Sequence, residues 1–477
     1  MLRTKIVCTI GPASREPETL RQLMLAGMDV ARLNFSHGDQ ATHAENIERI
    51  RAAAAELGKP VAILADLQGP KLRVGTMAEG GVFLPEGDEA TLTTEAVIGR
   101  EPGALPVQYG GFPRLARPGD RILVDDGLLE LKVLSVGETE VRCRVLVGGV
   151  LKSNKGVNLP RPSLDVPSIT AKDRRDLAFA LAHGVDWVAL SFVCTANEVL
   201  ELRQLIESLA LPDECVPVMA KVEKREALVN INEIIDAADA LMVARGDLGI
   251  EIRPEEVPMA QKRIIRECNR AGVPVVTATQ MLDSMTRNPR PTRAEASDVA
   301  NAILDGTDAI MLSSETSIGA YPVQAVRTMA RIAREVESKR PEVRTCPVLA
   351  SQRRDTTTIA DAVSRAACEA AHDLRAAAIL TPTASGYTAR LVSRYRPRSP
   401  ILAVTPSPAV QRRLVLCWGV IPLLAPRTDN TDEVIAQAIQ AARERGLVRK
   451  ADVLVFTAAA AGSAPGTTNL IRVHVVE

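Results

Sequence analysis

The sequence predicts an α/β chain: a (β/α)8 barrel of the TIM type, interrupted by an all-β domain and followed by a second α/β domain. Short apolar, β-rich runs alternate with helical stretches, three such strands before a Gly- and Pro-rich segment and five after it. That segment, from Gly69 to about Pro167, carries alternating runs such as RILVDD, LLELKVLSV and EVRCRVLV and no helical period. Polar side chains stand where the strands end: Asn34, Ser36, Asp66, Lys221, Glu223, Asp247, Thr279 and Ser313. Eight βα units over about 250 residues suit a barrel, and a doubly wound sheet could supply the same count. Chemistry gathered at the C-terminal strand ends favours the barrel.

The first strand is Ile6 to Ile10, stopped by Gly11-Pro12, and the helix after it ends near Gly27. Val30 to Ser36 reads VARLNFS, and strict alternation sets Arg32, Asn34 and Ser36 on one face. A strand in a βαβ run is buried on both faces, so polar groups there need a partner. His37-Gly38 closes this strand, a helix rich in Ala, Glu and Arg runs to about Leu57, and Val61 to Ala65 leads to Asp66.

The rhythm resumes at Thr170 with a helix. Strands follow at Trp187 to Phe192, Val216 to Ala220, Ala240 to Ala244, Val273 to Ala278 and Ala309 to Leu312. One amphipathic helix is expected between Val216–Ala220 and Ala240–Ala244. Lys221 and Glu223 are two apart, so they leave their strand on the same face. Asp247 is expected to end the next strand behind Arg245-Gly246, where the glycine lets backbone approach a ligand closely. A lysine with two carboxylates at strand ends can hold a divalent cation beside a positive charge, which suits a phosphorylated substrate. Thr292 and Glu295 form a capping box ahead of ASDVANAIL.

Beyond Ser338 a polar link, SKRPEVRTCPVLASQRRD, leads to the last unit. Ile359 to Ala371 reads as helix, followed by the strands AAAILT, PILAVT, VIPLLA, VLVFTA and IRVHVV, with helices from Gly386 and from Val434 to Arg445. The loop TPTASGYTAR sets Thr383, Ser385 and Thr388 around Gly386 at a helix start, the geometry of a phosphate cradle and equally of an ordinary capped connection. The expected divisions are 1–68 and 168–338 for the barrel, 69–167 for the insertion and 339–477 for the final domain. Gly69-Pro70 and Pro167 are the expected hinges.

Lys plus Arg equals Asp plus Glu at 58 each, which argues against a long-range field for nucleic acid or an anionic membrane. Aromatics are only 3%, so the core is expected to be built from Ala, Val, Leu and Ile. The eight cysteines show no CxxC and no Cys/His group at zinc spacing, and read as packing residues. The start, MLRTKIVCTIGPAS, has no apolar signal core, and no apolar run approaches membrane-spanning length. A cytoplasmic protein with no nucleic-acid or membrane partner is the expectation.

Eight motifs in order resemble the pyruvate kinase family across essentially the whole chain. They are TKIVCTIGPAS, RLNFSHG from Arg32, the run from Asp66 to Arg73, SNKGVNLP from Ser153, MAKVE ending at Glu223, ARGDLGIE ending at Glu251, TATQMLDSM from Thr277, and TRAEASDVANAILDGTDAIMLSSET ending at Thr316. The resemblance implies a barrel with a mobile β lid inserted after its third strand, a regulatory C-terminal domain and a homotetramer. It also implies the last step of glycolysis, in which the phosphoryl group of phosphoenolpyruvate passes to ADP to give pyruvate and ATP.

Carried over by motif, Glu223 and Asp247 would hold Mg2+, with Mn2+ as the alternative. Lys221 would neutralise the phosphoryl group in flight and the enolate left behind. Arg32 would hold the substrate phosphate, Gly246 and Asp247 the carboxylate side, and Thr279 would orient the proton delivered to the enolate carbon. Asn34, Phe35, Ser36, His37, Arg73 and Lys155 would meet the nucleotide. His37 invites a general-base reading, yet the motif implies nucleotide contact alone.

Two departures from the family pattern matter. Many members read DTKGPEIR and bind K+ near the counterparts of Asn34, Ser36, Asp66 and the threonine. Here the threonine is Leu67 and the glutamate is Lys71. An ammonium can replace K+ electrostatically, so Lys71 is expected to act as an internal cation in that pocket and activity not to require K+. The second departure is Ala384 in the first effector loop and TAAAAGSAPGTTN, with no basic residue, in the second. Thr383, Ser385, Gly386 and Thr388 then suit a single phosphate, and a sugar monophosphate or AMP is the expected effector.

A metal-dependent aldolase or lyase acting on pyruvate-type enolates is the competing enzyme class, but it leaves Lys155 and RLNFSHG unexplained. A non-catalytic scaffold would be expected to lose Lys221, Glu223, Asp247 or Thr279, and all four stand.

Overall fold

Eight short apolar runs pair in parallel and close on themselves: β1 (Lys5–Thr9), β2 (Val30–Asn34) and β3 (Ala62–Asp66), then β12 (Trp187–Leu190), β13 (Val218–Val222), β14 (Ala240–Ala244), β15 (Val275–Ala278) and β16 (Ala309–Leu312). β1 pairs with β2 on one side and β16 on the other, which completes the barrel. The computed structural model describes residues 2–100, 103–125, 127–159, 167–209, 215–339, 358–428, 430–459 and 467–477. Residues 340–357, which hold Cys346 and all of the link beyond Lys339, Pro160 of the SNKGVNLP motif and residues 460–466 of the second effector loop lie outside the described residues.

Alternation decides what the barrel encloses. Val7, Val30, Ala62, Leu64, Trp187 and Met219 belong to one inner apolar cluster, while their neighbours Ile6, Cys8, Ala31, Ile63 and Val218 pack outward against the helices. Continuing each inward series by two residues brings Thr9, Arg32, Asp66 and Lys221 to the C-terminal mouth. The polar mouth is therefore a consequence of strand register.

Between β3 and β12 lie β4 (Val82–Leu84), β5 (Glu89–Thr93), β6 (Ala104–Pro106), β7 (Arg121–Val124), β8 (Leu129–Val136), β9 (Glu140–Val147), β10 (Gly149–Leu151) and β11 (Val157–Asn158). They form a six-stranded sheet in the order β11-β7-β8-β9-β5-β6 and a separate β10-β4 pair around their own apolar core. Among the described residues of the insertion one helical turn, Phe112–Leu115, interrupts the strands. The last unit is a five-stranded sheet in the order β19-β18-β17-β20-β21, from β17 (Ala378–Pro382), β18 (Ile401–Thr405), β19 (Val420–Leu424), β20 (Val453–Ala458) and β21 (Leu470–Val475). β21 runs antiparallel at its edge. Val415 and Leu416 of this unit join the inner barrel cluster, so the two α/β units share packing.

The structure departs from the sequence reading between β13 and β14. The expected single helix is two, Arg225–Val229 and Ile231–Ala237, divided at Asn230. Asn230 turns aside there because its Nδ2 donates to the Cys194 carbonyl at 2.9 Å. A helix at Pro408–Leu414, started by the Ser407 cap, has no counterpart in the sequence reading. The capping box at Thr292 and Glu295 is present, and Thr170 with Asp173 forms a second.

Among the described residues no helix is long and apolar enough to cross a membrane. The described cysteines are all free, and burial pushes the Cys143, Cys194 and Cys417 thiols up to about 12, which leaves them inert.

Candidate active site

At the barrel mouth three strands deliver opposite charges to one buried point. Asp66, at the end of β3 and 1% exposed, accepts from Arg32 Nε at 2.6 Å and pairs with Lys221 Nζ at 3.2 Å. Arg32 Nη1 donates to Thr9 Oγ1 at 2.9 Å. Its Nη2 has no hydrogen-bond partner among the described residues. Lys221 Nζ also contacts Glu223 Oε1 at 2.9 Å and donates to Ser191 Oγ at 2.7 Å.

The charges sort themselves by proximity. Burial would pull the Lys221 ammonium down, but Asp66 and Glu223 outweigh it and hold the pKa above its ordinary value. Burial would push Asp66 up, yet Lys221 and Arg32 win and keep it low. Glu223 goes the other way: burial lifts it, Lys221 only partly offsets this, and Asp247 and Asp66 add to the rise. A further cation at Glu223 and Asp247 would relieve that crowding of negative charge.

Asp247 does not end a strand. β14 stops at Ala244, and Asp247 lies in the first turn of a short helix, Arg245–Glu251. Burial would lift its carboxyl, but Lys71 and Lys221 outweigh this and keep it low. Lys71 Nζ contacts Oδ1 at 3.0 Å, and Oδ2 has no partner among the described residues. No group of three His, Cys, Asp or Glu side chains gathers at one point among the described residues. Two carboxylates completed by substrate oxygens fit Mg2+, which is commonly held by one or two carboxylates and substrate phosphates.

Gly246 N donates to Thr279 Oγ1 at 2.7 Å, and that hydroxyl donates to the Ala278 carbonyl at 2.6 Å. Thr279 and Gln280 both have positive φ, 69° and 53°, and Arg245 fastens the bend through the Thr279 carbonyl at 2.7 Å. Such backbone costs about 1–3 kcal/mol per residue and persists only where surroundings over-determine it. A Cβ on Gly246 would meet Thr279 Oγ1 at 3.5 Å, ordinary contact, so packing does not demand the glycine.

Other expected residues fall less neatly. Phe35, expected beside the nucleotide, is 2% exposed and stacks on His43 at 4.2 Å, so its side chain is core. Asn34 Oδ1 accepts from Ser36 N at 3.1 Å. His37 is half-buried; burial, then Arg73, Arg32 and Lys71, pull its pKa down and keep it neutral. Arg73 donates to the Asn154 carbonyl at 3.0 Å, and Lys155 pairs with Asp125 at 2.8 Å, both on the insertion. Lys71 is the clearest departure. It was expected among Asn34, Ser36, Asp66 and Leu67, but its ammonium sits on Asp247. Asp66 is already occupied by Arg32, Lys221 and Ser191, and the fully buried Leu67 offers only a carbonyl that Ser191 takes at 2.7 Å.

Ser191 and Phe192 were not singled out from sequence. Ser191 holds Lys221, while Phe192, at φ 58°, donates its N–H to Glu223 Oε2 at 2.7 Å. Their signal was position alone, immediately after β12 at the mouth. In the C-terminal loop, Gly386 caps its helix with φ 85° and donates to Thr383 Oγ1 at 2.8 Å; Ser385 Oγ accepts from Tyr387 N at 3.4 Å. Thr388 is buried, its hydroxyl 2.8 Å from that of Thr468.

Residues 1–326 match the family model described as pyruvate kinase, barrel domain, and residues 361–474 match pyruvate kinase, alpha/beta domain. A pyruvate kinase of Geobacillus stearothermophilus is 50% identical over 477 residues, covering 99% of this chain and 80% of that protein. One of Clostridium acetobutylicum is 44% identical over the full length of both. The crystal structure of a pyruvate kinase from Cryptosporidium parvum superposes with a TM-score of 0.91 at 38% identity, covering 100% of this chain and 96% of that one.

Proposed function

The chain belongs to the pyruvate kinase family, and from that premise we propose how its residues share the transfer of a phosphoryl group from phosphoenolpyruvate to ADP. One observation carries the assignment: the Lys221 ammonium, buried at the barrel mouth, lies 3.2 Å from Asp66 and 2.9 Å from Glu223. Phosphoryl transfer asks mainly for positioning and charge neutralisation, and a fixed ammonium in a dry site supplies both.

Arg32, oriented by Asp66 and Thr9, grips the substrate phosphate with its remaining Nη2. Lys221 stabilises the phosphoryl group in flight and the enolate oxygen that remains. The Gly246 backbone and Asp247 border the substrate carboxylate. Thr279 Oγ1 orients the proton that reaches the enolate carbon, turning enolpyruvate into pyruvate. Glu223 and Asp247 are the carboxylates for Mg2+, on which family members typically depend, or Mn2+; when bound, the divalent cation neutralises phosphoryl oxygens. Asn34, Ser36 and His37 on the barrel and Arg73 and Lys155 on the insertion receive the nucleotide, so the insertion acts as a lid that excludes water.

Three finer readings complete the proposal. A single-phosphate effector, a sugar monophosphate or AMP, binds at Thr383, Ser385 and Gly386, supported by the helix start there. A homotetramer is supported by Met259, Leu304 and Ile318, large apolar side chains left exposed on the barrel's periphery. K+ is dispensable because Lys71 brings a fixed positive charge to the carboxylate cluster, through Asp247 rather than Asp66. Initial rates of pyruvate formation with Mg2+ in tetramethylammonium buffer should not rise when K+ is added, and Lys71→Gln should create a K+ requirement. A wild-type rate that appears only with K+ would defeat the Lys71 reading.

A further inference from the structure

β2 ends at Asn34, and the chain then passes through Phe35, Ser36, His37, Gly38 and Asp39 before the helix Gln40–Glu56 begins. Two carbonyls of this loop are taken by side chains from helices outside it. His43 Nε2, from the first turn of Gln40–Glu56, lies 3.0 Å from the His37 carbonyl. Lys172 Nζ, from the helix Ala171–Ala182, donates to the Phe35 carbonyl at 2.6 Å. Asp176, one turn further on, pairs with Lys172 and accepts from Gln40 Nε2 at 3.4 Å. Beside these contacts is an open hollow of about 340 Å3, lined by Phe35, Gly38, Gln40, His43, Lys172 and Asp176, so no close-packed layer supports the loop on that side. Its shape depends on the two polar anchors.

The proton on His43 can be placed. A carbonyl only accepts, so Nε2 carries the hydrogen and donates it to His37. His43 is 6% exposed, and burial pulls its pKa down more than the His37 carbonyl and Asp176 lift it, so the ring is neutral and Nδ1 is a bare acceptor. That Nδ1 is buried without a hydrogen-bond partner among the described residues. The ring stacks on Phe35 at 4.2 Å, but a phenylalanine could stack there without leaving a buried acceptor unmet. What the histidine adds is the N–H to the His37 carbonyl. Ser36 then stands between two fixed carbonyls, those of Phe35 and His37.

We propose that His43 and Lys172 are positioning residues for the nucleotide, fixing the backbone from which Asn34, Ser36 and His37 meet ADP, which rests on the nucleotide contacts proposed above for those three residues.

Initial rates with ADP varied at saturating phosphoenolpyruvate, and the reverse, separate this role from general support of the fold. In His43→Phe, which keeps the stack and removes the N–H, the KM for ADP should rise about tenfold, while kcat and the KM for phosphoenolpyruvate stay within about twofold. His43→Gln, whose amide can reach the same carbonyl, should recover most of the loss, and Lys172→Met should repeat the pattern of His43→Phe. Thermal melts verify that each variant folds; if His43→Phe does not, Lys172→Met against Lys172→Arg carries the comparison. A wild-type KM for ADP in the folded variants overturns the proposal, as does a loss that falls equally on both substrates or one that His43→Gln does not relieve. His37→Ala and Lys155→Met show which premise failed. If they raise the KM for ADP while the His43 and Lys172 variants do not, the nucleotide contacts stand without these anchors; if they leave it unchanged, the contacts themselves fall and the proposal with them.

Discussion

Lys221→Met is expected to lower kcat by about a thousandfold, the scale seen when one preorganised electrostatic donor is removed from a closed site. Methionine nearly preserves the length and volume of the side chain and deletes only the charge. What is lost is the one ammonium within 3.2 Å of Asp66 and 2.9 Å of Glu223. The fold should survive, because Glu223, already raised by burial and by its carboxylate neighbours, can take a proton when Lys221 is gone. Initial rates of pyruvate formation beside a thermal melt check this; a loss under about tenfold in a folded variant would remove Lys221 from the centre of the chemistry.

Asp66→Asn should act mainly on stability, by about 3–5 kcal/mol, because it leaves Arg32 and Lys221 buried without their shared counter-charge. The pH dependence has a definite sign. The folded pKa of Asp66 lies below the ordinary 3.8, so its contribution is fully present above that value and lost as pH falls through the folded pKa. The stability gap between wild type and Asp66→Asn should therefore be full at neutral pH and close below 3.8. Urea melts of both proteins across that range measure it, and a gap that widens in acid would contradict the assigned ionisation.

The same register argument separates what could be read in advance from what could not. Strand alternation made the mouth legible: Arg32 lies two residues beyond inward Val30, and Lys221 two beyond inward Met219. Lys221, Glu223 and Asp66 therefore meet as their spacing suggests. Ser191 and Phe192 were opaque because their work is done by one hydroxyl and one backbone N–H, groups every strand end possesses. Phe35 was misplaced because its neighbours on both sides face the mouth while alternation turns it into the core against His43. Lys71 could not be placed from spacing, since three donors elsewhere in the chain had already claimed Asp66. The helix break at Asn230 depended on a carbonyl more than thirty residues away.

The central claim is that the buried Lys221 cluster, completed by Glu223 and Asp247, is built to move a phosphoryl group from phosphoenolpyruvate to ADP. The most direct test is the initial rate of pyruvate formation from those two substrates as Mg2+ is titrated into the chelator-treated protein. A rate that rises with Mg2+, saturates, and vanishes on returning the chelator is the predicted result. No pyruvate at any Mg2+ or Mn2+ concentration, from protein that is folded and binds phosphoenolpyruvate, would contradict it.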